Sequence, residues 1–328
     1  MKDAILLFIF GLILLIKGGD WFVDGASGIA KRFRIPEILI GATIVSIGTT
    51  LPEVMVSTTA ALAGSGDMAY GNAIGSIICN TALIAAITIA IRPSQIDRKS
   101  LIIPVCFFFG AAIFYSATAY LGGTFERWMG ILLLSTFVVY MVLTTVKALS
   151  SSKNTPILNA DEQNEVEDEE KSSLLKNIIF LIIGAALIAV GADLLVDKGT
   201  YIAEQWGVPQ TVISLTFVAL GTSLPELVTA ITSLIKGKGA LSLGNLIGAN
   251  LFNLVLVSGM AVTIAPFAVP IGNTIAGISA SLVLDIPVML AVMGILTIPA
   301  LIRNKLSKVQ GYILLGIYAV FISLQFII

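Results

Sequence analysis

The chain has no histidine and only two cysteines, Cys79 and Cys106, each of which lies in an apolar run. The commonest protein ligand for zinc is therefore missing, together with the side chain that changes its charge near neutral pH. Two isolated cysteines provide neither a disulfide framework nor a redox motif, and we expect both to be free thiols. These absences argue against transition-metal and thiol chemistry.

Charged residues are scarce as well, at 12% of the 328 residues, while hydrophobic residues reach 57%. A soluble domain carries roughly 25% charged residues, and so few charges cannot cover the apolar surface of a water-soluble fold of this size. The net charge of −1 leaves no basic surface for phosphates, which argues against nucleic acid as a partner. We therefore predict a chain embedded in a lipid bilayer.

Apolar runs of about 20 residues, the length that crosses a bilayer, occur along the whole chain. The first run follows a lysine, as in a signal peptide, but no small-residue cleavage site comes promptly after it and a similar segment recurs inside the chain. We therefore interpret it as a retained helix. The sequence predicts an all-α integral membrane protein with ten transmembrane helices, near residues 4–24, 36–63, 71–91, 101–120, 128–147, 176–197, 209–235, 244–264, 275–302 and 310–327.

The longest polar stretch, residues 150–175, is rich in acidic residues and separates two sets of five predicted helices. We predict a first five-helix repeat over residues 1–149 and a second over residues 176–328. The composition of the acidic stretch favours a solvated linker over a calcium sensor, because it contains too little apolar area to bury.

Basic residues are distributed unevenly between the two sides of the predicted bundle. The loops after the odd-numbered helices hold 15 Lys and Arg residues, whereas the opposite side holds 3. Cytoplasmic loops carry the excess of basic residues in membrane proteins. This asymmetry predicts a cytoplasmic linker and places both termini outside the cell.

The sequence repeats itself with a shift of 173 residues, which aligns residues 11–93 with residues 184–266 without a gap. An odd number of helices in each repeat inserts the second repeat upside down, an arrangement typical of transporters that bind substrate between the two halves. We therefore predict two inverted five-helix repeats. Identical positions include the pairs Asp20/Asp193, Pro52/Pro225, Glu53/Glu226, Asn72/Asn245 and Asn80/Asn253.

Two glutamates lie in the middle of predicted membrane helices. Residues 48–53 read GTTLPE and residues 221–226 read GTSLPE, so each glutamate follows a proline. An ionisable group at this depth is costly unless it is neutralised, and no Lys or Arg lies within helical reach of Glu53 or Glu226. A protonated or locally paired glutamate is the structural alternative to a functional site.

The prolines and threonines of this motif predict further oxygen ligands. Pro52 and Pro225 lack an amide proton, so carbonyls one turn earlier lose their helical partners and are free to face a cavity. Thr49 and Thr222 lie four residues before the glutamates and share a helix face with them. Carboxylate, carbonyl and hydroxyl oxygens are the ligands that calcium takes, so we predict a site for a hard cation.

Asparagines form a second paired motif. Residues 71–76 read GNAIGS and residues 244–249 read GNLIGA, and each run continues to a further asparagine. The small residues allow a close approach to the neighbouring helix. We predict that these asparagines line a central cavity, with simple hydrogen bonding between helices as the alternative. They are Asn72, Asn80, Asn245 and Asn253.

The doubled GT[TS]LPE and GNxIG motifs resemble the two signature repeats of the calcium/cation antiporter superfamily, and the chain is similar to its prokaryotic sodium/calcium exchangers. The resemblance covers nearly the whole chain. It implies a secondary antiporter in the plasma membrane of a prokaryote, which works as a monomer, needs no cofactor, is not an enzyme, and exchanges sodium for calcium by alternating access.

The resemblance also assigns ions to residues by position. It implies that calcium binds to Glu53, Glu226 and the backbone carbonyls of Thr49 and Thr222. Sodium would share the two glutamates and contact a set of small residues beside them: Ser46, Thr50, Ser76, Ala219 and Ser223. Within this set, Ser46 and Ala219 would contribute backbone oxygens.

Two positions depart from the family pattern. Ala249 replaces a small hydroxyl residue expected opposite Ser76, which removes an oxygen from the inner sodium site. Asn253 stands where some relatives carry aspartate, which weakens a potassium-dependent interpretation.

Three other functions compete with sodium/calcium exchange. A proton/calcium antiporter is the nearest, although that branch typically lacks a doubled GTSLPE pattern with threonine. A channel would need a continuous pore, against which the inverted repeat argues. An intramembrane carboxylate protease would need catalytic aspartates along a peptide path, whereas the paired acids here are glutamates beside helix-breaking prolines.

Overall fold

The structure is a computed structural model that describes residues 2–33, 35–93, 95–153, 163–207, 221–271 and 274–327. Within these residues the chain is almost wholly helical, which confirms the predicted all-α membrane class. The helices are α1 Lys2–Arg32, α2 Glu37–Leu62, α3 Gly66–Ile91, α4 Arg98–Gly122, α5 Arg127–Lys153, α6 Gln163–Gln205, α7 Leu224–Ile235, α8 Gly239–Ile264, α9 Ser281–Arg303 and α10 Lys308–Ile327.

Nine of these helices are long and apolar enough to cross a membrane, and α7 is a shorter apolar helix of 12 residues. The seventh predicted span, residues 209–235, falls partly on residues 208–220, which lie outside the described part of the chain. The count of ten spans therefore stays a prediction.

The segment predicted as a linker is partly helical. Helix α5 continues to Lys153 and helix α6 already begins at Gln163, so the five acidic residues between positions 165 and 170 belong to the first turns of α6. The domain boundaries at residues 149 and 176 stay a prediction.

Helices α1 and α6 are related by the sequence repeat and pack against each other along a seam of glycines. A Cβ atom on Gly11 would lie 3.0 Å from the carbonyl oxygen of Gly191, and one on Gly25 would lie 2.5 Å from that of Asn177. The residue numbers of the contacting residues decrease along α6 as they increase along α1, so the two related helices run antiparallel. This direction is the one that an inverted repeat requires.

Helices α3 and α8 form the centre of the bundle, since most of their residues are buried, whereas fewer than a third of the residues in the apolar spans of α1, α5, α6 and α10 are buried. Helix α8 approaches α2 closely because two glycines face it. A Cβ atom on Gly244 would collide with the backbone at Ile38, and one on Gly248 would collide with the Ser46 hydroxyl. The second repeat therefore contacts the glutamate-bearing helix of the first repeat backbone to backbone.

The loops contain two short antiparallel strand pairs, the first of which joins the two repeats. Strand β1, Thr124–Phe125, pairs antiparallel with strand β2, Phe267–Ala268, and strands β3, Thr274–Ile275, and β4, Ile278–Ser279, form a hairpin.

Ion pairs connect the end of α7 to the first repeat. The Lys236 ammonium lies 2.8 Å from the Asp24 carboxylate and 3.4 Å from that of Asp20, both on α1. The Lys238 ammonium lies 2.7 Å from the carboxylate of Glu37, at the start of α2.

Candidate ion-binding site

Glu53 on α2 and Glu226 on α7 are fully buried, with 0% of their surface exposed. Neither carboxylate accepts a hydrogen bond from any described residue, and no described cation pairs with them. The helices that carry them contact each other, and the residues that precede the two glutamates, Pro52 and Pro225, line one small cavity. Two unneutralised carboxylates in a medium of low dielectric constant are strongly unfavourable without a cation.

Neutral oxygens with free lone pairs accompany the two carboxylates. The π-helical turn that begins at Asn80 contacts α7, and the one that begins at Asn253 contacts α2. Such turns are frequent at functional sites. Within the described part of the chain, several buried polar atoms have no hydrogen-bond partner: Thr50 Oγ1, Asn80 Oδ1 and Nδ2, Ser223 Oγ and Asn253 Oδ1.

The chemical type of these atoms determines which cations the site can bind. No group of three or more His, Cys, Asp or Glu side chains occurs among the described residues. A cation between Glu53 and Glu226 would therefore combine two carboxylates with hydroxyl, amide and carbonyl oxygens. That donor set fits a hard cation such as calcium or sodium.

The prolines of the two motifs have different effects on their helices. Helix α2 continues through Pro52 to Leu62, so the displaced turn expected at Pro52 does not end the helix. In the second repeat, Thr222 and Ser223 form a turn and α7 begins directly after it. Pro225 thus lies in the first turn of a new helix, where its missing amide proton is not needed.

The two motifs face α1 and α6 across a small cavity. This cavity has a volume of only about 10 Å³ and is lined by Thr49, Pro52 and Pro225, together with Phe22 of α1 and Ile188 of α6. The proline turns of the two repeats therefore lie beside each other, as expected for a site between the halves.

Residues 3–146 and 176–327 match the family described as sodium/calcium exchanger protein. The chain belongs to this family. It is thus a multi-pass membrane transporter that exchanges cations, and it is not an enzyme.

Individual relatives cover the chain almost completely. It is 34% identical over 334 residues to the putative antiporter CaxA of Alkalimonas amylolytica, which spans 100% of this chain and 99% of the relative. It is 31% identical over 357 residues to the sodium/calcium exchanger MaX1 of Methanosarcina acetivorans, with 98% of each chain covered. A solved structure of the sodium-calcium exchanger NCX_Mj superposes with a TM-score of 0.79 at 29% identity over 98% of each chain.

Most residues assigned to ions in this exchanger are buried where the repeats meet. Among those of the described part, Ser46, Thr49, Thr50, Ser76 and Ser223 all have at most 4% of their surface exposed. Ala219 lies outside the described residues. The assignments to calcium and to sodium stay predictions.

Two of the four paired asparagines, Asn72 and Asn245, take part in hydrogen bonds between the repeats, whereas the bond of Asn253 lies within α8. The Thr49 hydroxyl donates to Asn245 Oδ1 at 3.2 Å, and the Thr222 hydroxyl donates to Asn72 Oδ1 at 3.3 Å. The Asn253 amide donates to the carbonyl of Ala249 at 3.0 Å.

One residue of the site was missed at the level of the sequence. Ser57 is fully buried, and its hydroxyl accepts a hydrogen bond of 2.8 Å from Asn72 Nδ2. Its spacing of four residues from Glu53, on the same helix face, is the signal that points to it.

Proposed function

We propose that this exchanger moves calcium against sodium, and that Glu53 and Glu226 hold both ions in turn. The observation that carries the proposal is the pair of fully buried carboxylates that have no donor and no cationic partner among the described residues. The names of MaX1 and NCX_Mj, both sodium/calcium exchangers, support the same ions.

Calcium fits the centre of the site by charge and by ligand type. Two carboxylates neutralise one divalent cation, and calcium takes six to eight oxygens in flexible geometry. The backbone carbonyls of Thr49 and Thr222 supply further oxygens beside Glu53 and Glu226. Both ions are the cargo of the protein, and no cofactor takes part.

Sodium competes for the same carboxylates. Several sodium ions neutralise the pair as well as one calcium ion does, with help from neutral oxygens around the glutamates. We assign these oxygens to the hydroxyl groups of Thr50, Ser76 and Ser223 and to the backbone of Ser46 and Ala219.

Neutralisation also couples the two ions. An empty site would carry two negative charges through a constriction of low dielectric constant, which is unfavourable, whereas a site filled with either ion is neutral. If only the neutral forms alternate between outward-facing and inward-facing states, the ions must exchange. The inverted repeats of one chain supply both states, so a monomer suffices.

The distribution of basic residues supports the orientation of the protein. We place both termini outside a prokaryotic plasma membrane and the acidic segment 150–175 in the cytoplasm, because the loops on that side hold 15 of the Lys and Arg residues.

A proton/calcium antiporter is the second candidate. Ala249 favours it, because its methyl side chain has no oxygen that could bind sodium, whereas the equivalent residue of the first repeat, Ser76, has a hydroxyl group. Buried carboxylates without a cation can also hold protons in exchange for calcium.

Calcium uptake by proteoliposomes separates the two candidates. Purified protein in sodium-loaded vesicles is expected to take up radioactive calcium when it is diluted into sodium-free medium. Vesicles loaded with potassium at the same pH serve as the matched control and are expected to remain empty. Uptake that needs only a pH gradient, with no sodium on either side, would assign the protein to proton exchange instead.

A further inference from the structure

Two equivalent hydrogen bonds join the repeats. Thr49 of the first repeat donates to Asn245 of the second, and Thr222 of the second repeat donates to Asn72 of the first. A shift of 173 residues converts one pair into the other. The structure therefore repeats the same contact on both sides of the ion-binding site, each time between different repeats.

We infer that Asn72 and Asn245 are positioning residues, which hold Thr49 and Thr222 in the orientation that ion binding requires. We name the two hydrogen bonds Thr49–Asn245 and Thr222–Asn72 the threonine clasps. This inference rests on the proposed function, because it assumes that ions bind beside these threonines.

The clasp at Asn72 also reaches the opposite glutamate. The Asn72 amide donates to the backbone carbonyl of Glu53 at 3.2 Å and to the Ser57 hydroxyl at 2.8 Å, while its carbonyl oxygen accepts from Thr222. A single side chain thus connects the turn before α7 to the backbone that carries Glu53. Movement of Thr222 away from α3 would break this connection between the two halves of the site.

The clasp at Asn245 is held through its backbone. The Ser46 hydroxyl lies 2.9 Å from the backbone carbonyl of Asn245 and 2.7 Å from that of Gly41, and its single proton is shared between these two acceptors. The close approach of α8 to α2 at Gly248 brings Asn245 within reach of Thr49. Backbone and side chain of Asn245 therefore both contact the helix that carries Glu53.

The two clasps are not equally satisfied. Asn72 Nδ2 has Ser57 as an acceptor, whereas Asn245 Nδ2 has no hydrogen-bond partner among the described residues. The sequence explains part of the difference, because the position equivalent to Ser57 is Ala230, which offers no hydroxyl acceptor. A buried amide without an acceptor is unfavourable. Among the described residues, the hydrogen bond that the Asn245 side chain does make is the one with Thr49.

A positioning role predicts an effect on affinity rather than on folding. A buried hydrogen bond contributes about 1 kcal/mol, which corresponds to roughly a five-fold change in binding. Loss of the clasp is expected to raise the calcium concentration for half-maximal uptake by about five-fold and to leave the maximal rate nearly unchanged.

A double-mutant cycle on Thr49→Val and Asn245→Leu tests the inference, with calcium uptake by proteoliposomes as the readout. Each single variant is expected to raise the half-saturating calcium concentration. The double variant is expected to raise it no further than the more affected single variant, because the two substitutions remove the same hydrogen bond. Thr49→Ser keeps the hydroxyl and should restore near-normal affinity. Thr297→Val removes another buried threonine hydroxyl, which bonds only within α9, and should leave the affinity unchanged.

The outcomes separate this inference from the proposed function. Three results would overturn the positioning role even if the wild-type protein exchanges sodium for calcium. The effects of Thr49→Val and Asn245→Leu on the half-saturating calcium concentration could simply add, Thr49→Val could leave that concentration unchanged, or Thr49→Ser could raise it as much as Thr49→Val does. Wild-type protein that neither transports nor binds calcium would refute the proposed function, and the inference would fall with it. If a variant yields too little folded protein for uptake measurements, the increase in melting temperature on addition of calcium serves as the readout of the same double-mutant cycle.

Discussion

Ser76 and Ala249 occupy equivalent positions in the two repeats, and both are buried. Ser76 brings a hydroxyl oxygen into the interface, whereas Ala249 has only its backbone carbonyl, which already accepts the Asn253 amide at 3.0 Å. In the proposed mechanism the inner sodium site therefore has one ligand fewer than its counterpart.

The substitution Ala249→Ser is expected to restore this oxygen and to tighten apparent sodium affinity, with calcium affinity nearly unchanged. The measurement is the sodium concentration that half-inhibits calcium uptake, which should fall in the variant. Ser76→Ala is the matched change in the other repeat and should raise it. If neither variant shifts this concentration, the two positions do not coordinate sodium.

The residues of the site were predictable to different degrees. Glu53 and Glu226 stand out because an ionisable residue in a membrane helix needs a reason, and the repeat doubles the signal. The hydrogen bonds of Asn72 to Ser57 and Thr222 were not predictable, because contacts between distant segments depend on how the helices pack. The spacing of Ser57 from Glu53 is a weaker signal than a buried charge, since serine is common in apolar helices.

Helix α4 shows how an element is fixed at its start, outside the membrane-spanning segment. The Asp97 carboxylate accepts hydrogen bonds from the Lys99 backbone amide at 3.0 Å and from the Ser100 hydroxyl at 2.6 Å. The hydrogen bond from Ser100, followed by those from the backbone amides, holds the pKa of Asp97 below its ordinary value. The ionised carboxylate therefore caps the helix, as Asp does at many helix N-termini.

Asp97→Ala is expected to lower the stability of the detergent-solubilised protein by about 1 kcal/mol at neutral pH. A depressed pKa in the folded state contributes stability above the pKa of the unfolded chain, and this contribution is lost as the pH falls through the folded pKa. The melting temperatures of wild type and variant should therefore converge in acid. Asp97→Asn keeps an acceptor that does not titrate, so a convergence identical to that of the alanine variant would contradict the capping role.

The conformation of the two proline motifs was only partly predictable. Both contain the same Leu-Pro-Glu sequence, yet α2 continues through Pro52 whereas a turn precedes α7. A proline removes one hydrogen bond and displaces one turn, but neighbouring helices decide whether the helix bends or ends. The sequence therefore predicts where a helix is weak and leaves the outcome to tertiary packing.

The inverted repeat was predictable for the whole molecule, because an odd number of helices per repeat reverses the second half. The antiparallel packing of α1 on α6 agrees with it, and so does the match to NCX_Mj over 98% of the chain. The extension of α6 back to Gln163 was not expected, since composition alone favoured a linker there.

The central claim for the whole molecule is that one pair of buried carboxylates holds either ion. Glu53→Gln and Glu226→Gln keep the side-chain volume, remove one negative charge each, and leave one carbonyl oxygen where two carboxylate oxygens stood. A neutral side chain is less costly in the bilayer, so both variants should fold and insert. Calcium would then occupy a site with a residual positive charge.

Sodium-driven calcium uptake by these two variants tests the claim most directly. Wild type and the matched control Glu204→Gln, at an exposed position of α6, should both take up calcium. Each of the two site variants should show no uptake, although it elutes as folded protein and its melting temperature no longer rises with calcium. Near-normal sodium-driven uptake by either Glu53→Gln or Glu226→Gln would contradict the account.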